Sequence, residues 1–237
     1  MNLTLKHVAV AAACAATAFT AQAADTILGT SFGSGNSYNT TFLGTVNAAF
    51  TSAPGNFQMK GQAGVTGVGV SGKTTGEIDI GESITGTFSQ GVQITGIRLG
   101  LLFDGPEYGD VNEVAQITAY WQAGGSTSYT LTATGTHTAV WTGFGGNSAV
   151  SSVGSGAIGG GTGAWDLSNP FGNQLVSKVT FTALPGMPAS GCTSCSNQSD
   201  YTLVSITAVP EPETYAMLLA GLGVMGAIAH RRNAAKA

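Results

Sequence analysis

The chain has 237 residues, 36 of them glycine, and only 8% are charged, with eight basic against twelve acidic residues for a formal net charge of −4. So few Lys and Arg exclude the basic footprint that nucleic acid requires and leave little to hold the chain on an anionic membrane surface. With 43% apolar residues, it is not the charged, aromatic-poor chain of a disordered protein either.

The first element is a leader. Lys6 and His7 precede an apolar run from Val8 to Phe19, which leads to Ala21-Gln22-Ala23. A charged n-region, a short h-region and an A-x-A site predict a signal peptide cleaved after Ala23, and hence export. The run is too short and too Ala-rich for a transmembrane anchor. The body that follows, Ala24 to Val209, has a single-domain length. Its four basic and ten acidic residues leave it at −6.

Gly, Ser and Thr dominate this body, and its apolar residues alternate. The stretch from Ala24 to Thr75 is Gly- and Asn-rich with weak strand signals, suited to the first strands and an edge. Period-two patterning then predicts strands at Glu77 to Ile80, Ser83 to Phe88 and Val92 to Phe103. In the last of these the apolar phase switches at Thr95-Gly96, where a bulge with one extra residue would return Ile97, Leu99 and Leu101 to the core. Further strands are predicted at Val114 to Trp121, Tyr129 to Ala133, Ala139 to Trp141, Leu175 to Ala183 and Tyr201 to Val209. Ala115, Ile117, Ala119 and Trp121 should share one face, as should Leu175, Val179 and Phe181. Gly143 to Gly163 reads as a low-complexity loop. Eight or so short strands with Gly-rich connections predict an all-β fold, a jelly-roll-like antiparallel β-sandwich.

Between two of these strands, Asp104, Glu107, Asp110 and Glu113 recur every third residue in a Gly- and Pro-containing turn. Clustered carboxylates with free carbonyls are the oxygen set that Ca²⁺ prefers, though no fixed-spacing calcium motif is present. A solvated acidic hairpin is the plainer reading. Glu77, Asp79 and Glu82 read as surface charges at a hairpin. Cys192 and Cys195, the two cysteines that remain once Cys14 leaves with the leader, should pair in an oxidising compartment as a local structural disulfide. A Cys₂His₂ zinc site fails for lack of ligands, because the body holds a single histidine, His137.

Little points to catalysis. Gly29-Thr30-Ser31-Phe32-Gly33 fits the nucleophile-elbow spacing, but no strand-to-helix unit surrounds it. Gly-x-Gly-x-x-Gly occurs at Gly67, at Gly154 and again at Gly221 inside the apolar tail, which marks it as background. A glycosidase would need two facing carboxylates in a cleft. The chain therefore reads as no enzyme. Among the aromatics, Tyr120 and Trp165 are candidates to stack against sugar rings, with Trp121 and Trp141 assigned to the core.

The C-terminus carries the sharpest signal. Pro210-Glu211-Pro212 precedes an uncharged stretch from Thr214 to Ala229, which ends at His230-Arg231-Arg232. Sixteen residues make about 24 Å of helix, a short transmembrane span that Tyr215 and the snorkelling Arg231 and Arg232 extend. The basic end belongs in the cytoplasm, which leaves the Pro-Glu-Pro segment outside, extended and open to a processing enzyme. These residues resemble the PEP-CTERM sorting signal of Gram-negative bacteria. The resemblance is confined to residues 210–237. It implies processing by an exosortase near Pro210, Glu211 and Pro212, an inner-membrane-anchored precursor, delivery to the cell surface or extracellular matrix, and a host that makes extracellular polysaccharide. Together these readings predict a non-catalytic exported protein of the polysaccharide or biofilm matrix, with no cofactor. The alternative is a carbohydrate-binding module, with Ca²⁺ as its one candidate ion.

Overall fold

The computed structural model describes residues 24–62, 64–105, 109–144, 148–151, 163–188, 192–195, 197–209 and 220–226. Internal contacts divide the chain into a body, Asp25–Val209, and a second unit made of Met1–Ala24 with Pro210–Ala237. In the second unit, residues 220–226 are helical and exposed. Among the described residues no helix is long and apolar enough to cross a membrane. The predicted leader, the Pro210-Glu211-Pro212 segment, Arg231 and Arg232 lie outside the described residues.

The body is all β, and every pairing between its strands is antiparallel. It opens with β1 (Asp25–Leu28), a 3-10 turn (Gly29–Ser31), β2 (Ser37–Phe42), β3 (Val46–Ala53), β4 (Phe57–Gln62) and β5 (Val65–Val70). The Gly- and Asn-rich start of the chain therefore contributes five strands. Its spine is β6, Ser83–Gly100, 18 residues long. The first half of β6 is flanked by β3 and by β12 (Leu175–Met187), and its second half by β13 (Thr202–Val209) and β11 (Trp165–Ser168). From β12 one wing runs on through β7 (Asn112–Trp121), β8 (Ser126–Gly135), β9 (Thr138–Trp141) and β10 (Ser148–Ser151). From β13 the other runs to β5 and β4.

Phe50 on β3 and Phe57 on β4 are far apart in the strand order, yet both rings pack on Phe32, with centroids 4.8 and 5.0 Å away. A single hydrophobic cluster joins residues of both halves of β6 to those of the wings. At Gly86 the Phe50 ring of β3 comes close, since a Cβ there would lie 2.4 Å from it.

The inward residues of β6 follow the alternation in the sequence. Ile84 and Phe88, then Val92 and Ile94, then Ile97 and Leu99 are all buried. β13 pairs Thr207 with Gly96 and Ala208 with Ile94, so Thr95 has no opposite residue and is the extra residue of a bulge. Three details depart from the sequence reading. Ser83–Phe88 and Val92–Gly100 are one strand, which ends at Gly100 because Leu101 takes a positive φ of 59°. Glu77 to Ile80 is not a strand but a loop with one bridge, Val70 to Glu77. Val176, not Leu175, shares the core face with Val179 and Phe181, because the β12 register shifts between Val176 and Lys178.

Candidate functional site

Where β5 ends, β6 ends and β7 and β13 begin, six carboxylates are buried together with little positive charge. Glu77, Asp79, Glu82, Asp110, Glu113 and Asp200 are each no more than 6% exposed. Burying an ionised carboxylate is costly unless it is paired or hydrogen-bonded, so the partner of each decides what the cluster does.

The loop that follows β5 is organised by its own acids. Glu82 accepts from the Lys73 N–H (2.9 Å) and the Asp79 N–H (3.1 Å). A Cβ at Gly72 would overlap the Glu82 carboxylate, which would have to shift to admit it. Asp79 in turn accepts from the Thr74 N–H (2.6 Å) and hydroxyl (3.1 Å). The Thr74 hydroxyl also reaches Asp200, 3.2 Å away and 126 residues on. The cation of the cluster is Lys60 on β4, whose ammonium lies 2.5 Å from Glu77 Oε2.

Glu113 sits apart from this loop. It occupies the core-facing phase of β7, two residues before Ala115, and is fully buried. Its carboxyl accepts from the Phe103 N–H and, at 3.2 Å, from the Asp200 N–H. It thereby ties the exit of β6 and the entry to β13 to the start of β7.

Crowding these groups shifts their proton affinities. Burial raises the pKa of Glu113 well above the usual carboxylate range, helped by the charges of Asp200 and Asp110 and opposed by its backbone donors. Burial also pushes Asp200 up to about 8, with Glu77, Asp79 and Asp110 adding repulsion. Glu77 is raised by burial against the pull of Lys60. Glu77, Asp110 and Asp200 line a pocket of about 260 Å³ with Lys60, Gln62, Thr74, Phe103 and Asn197.

The cluster gathers residues that the sequence reading kept apart and revises some of them. Glu77, Asp79 and Glu82 are not surface charges. Of the acidic turn, Asp110 and Glu113 are buried, Asp104 is half-buried, and Glu107 lies outside the described residues. Among the described residues, no three of His, Cys, Asp or Glu are arranged to hold a metal ion. Cys192 and Cys195 are joined in a disulfide. The Cys195 sulfur lies against the Asp110 carbonyl, and Asn197 donates to the Gly109 carbonyl (3.3 Å), so the disulfide loop braces the acidic turn.

Trp165 is not a surface platform. It is 1% exposed and donates its indole N–H to the Leu102 carbonyl at 2.8 Å. Tyr120 does lie on the outward face, but the Lys178 ammonium sits 3.7 Å from its ring centroid and covers one face of the ring. Trp141 is core, while Trp121 is only partly buried against it. The alternation of β7 contained one missed signal, since extending the Ala115, Ile117, Ala119 face back by two residues places Glu113 in the core.

Residues 208–232 match the PEP-CTERM protein-sorting motif. No curated protein and no solved structure matches the chain.

Proposed function

Because the chain carries a PEP-CTERM sorting motif and is thereby an exported exosortase substrate, we propose that its body is a non-catalytic scaffold of the cell surface or extracellular matrix, associated with the host's polysaccharide. The body is read as a two-layer antiparallel sandwich. The sorting motif, on a body where most of the buried carboxylates are engaged in holding the fold, carries this reading. Glu82, Asp79 and Glu113 each accept hydrogen bonds from backbone N–H groups. Glu77 is paired with Lys60. Carboxylates committed in this way act as structural ties rather than as acid and base. The test is fractionation of the producing cells. The chain should leave the cell surface together with polysaccharide when the matrix is sheared off or digested by a glycosidase. A chain that stays with washed, matrix-free cells overturns the reading.

A calcium-dependent carbohydrate-binding module is the second reading. Asp110 from the acidic turn meets Glu77 and Asp200 in one pocket, which supports it. The lack of a three-ligand arrangement among the described residues weighs against it. Titrating Ca²⁺ into the metal-free chain separates the two readings, since a rise in melting temperature reversed by EDTA is expected of the second alone.

A further inference from the structure

We propose that the outward face of β2, β3, β6, β12, β7 and β8 is a contact surface for a neutral polysaccharide, an inference that rests on the matrix reading and assigns its contact to one face. Strand register aligns Ser37, Thr51, Thr85, Thr180, Thr118 and Ser128 in a single row across the six strands. At about 4.8 Å between neighbouring strands, six hydroxyls extend over about 24 Å. Thr85 and Thr180 share a hydrogen bond of 3.1 Å, and Thr118 and Ser128 share one of 2.8 Å. Each hydroxyl has one donor and two acceptor positions, so both pairs keep open positions toward solvent. The row to one side repeats the chemistry with Thr182, Gln116 and Thr130. The row to the other side contains Thr87, Lys178 and Tyr120.

Charge selects the occupant. Lys178 is the only charged side chain in these rows, where it is held over the Tyr120 ring, and no carboxylate lies in them. An acidic polymer would find a single cation here. A protein partner gains most of its affinity from aromatic and Arg anchors seated in apolar pockets; these rows contain no Arg, and their one aromatic, Tyr120, has a face covered by Lys178. A neutral glycan matches the face in charge. It also offers what the row offers, a repeat of groups that both donate and accept. Single hydroxyl contacts in water are weak, so affinity comes from many of them along an extended chain, as in other multivalent contacts.

The test uses the purified chain, co-sedimented with insoluble cellulose and starch as neutral polymers and with alginate gel as an acidic one. Saturable retention on a neutral polymer, exceeding that on alginate, is expected. The combined variant T85V/T118V/T180V removes three hydroxyls while keeping side-chain shape and strand preference. It should lower apparent affinity at least tenfold without lowering the melting temperature. T85S/T118S/T180S retains the hydroxyls and should bind as the parent does. Equal binding by the valine variant, or preference for alginate, overturns the assignment of this face. A chain that binds no neutral polymer yet still fractionates with the host matrix overturns the face and leaves the matrix reading standing. Absence from the matrix overturns both.

Discussion

Glu113 and Asp200 show how strongly a few side chains determine the behaviour of this body. Both carboxyls are inside, and both bind protons more tightly in the folded chain than in the unfolded one. The sign of the linkage follows. Asp200 has an ordinary pKa of 3.8 when unfolded and about 8 when folded, so the folded state holds its proton over that interval. Its contribution to stability is complete below about pH 4, falls as the pH rises, and is lost above about 8. Most acidic proteins lose stability in acid; this cluster should lose it in mild base. Urea unfolding midpoints are expected to be lower at pH 8.5 than at pH 5. In D200N, whose amide mimics the protonated acid, that difference should shrink. An equal pH dependence in parent and D200N would remove Asp200 as its source.

Among the elements, β6 carries most of the architecture, since it borders both wings and passes from one to the other. The extra residue at Thr95 lets it do so. Side chains alternate with a period of two, so a shift of one residue turns every following side chain to the opposite face. Deleting Thr95 would send Ile97 and Leu99 outward and place Arg98 in the core. The deletion should abolish cooperative thermal unfolding, read by far-UV circular dichroism. T95A keeps the residue count and should cost no more than about 1 kcal/mol, the ordinary range for a substitution that empties no core space. The bulge was legible because the phase switch is written in consecutive residues. The same local logic failed at Glu77 to Ile80, where four residues of alternating polarity were read as a strand. Their polar members in fact bind Lys60, Thr74 and neighbouring backbone.

At the scale of the whole molecule, destination and body are separate problems. The sorting motif at residues 208–232 acts through local sequence that an enzyme reads, so replacing Pro210, Glu211 and Pro212 with alanine should leave the thermal stability of the body unchanged and block its delivery. Pulse-chase labelling with fractionation is the measurement, with uncleaved precursor accumulating in the membrane fraction as the expected outcome. Normal release of the triple-alanine chain would show that sorting depends on other residues. The candidate site has the opposite character. Its carboxylates come from a loop near residue 77, the start of β7 and the entry to β13, and long-range pairing alone joins them.

The sequence by itself determined the C-terminal sorting motif, the all-β class, most strand positions and the Thr95 bulge, because each is set by residues close together in the chain. It also contained, unread, the core position of Glu113. Only the tertiary structure decided that Trp165 is buried, that Tyr120 is capped by Lys178, and that six acids lie inside. It alone brought six hydroxyls from six strands into one row. Burial and cross-strand register depend on which strands become neighbours, and that choice is made by the packing of the whole core.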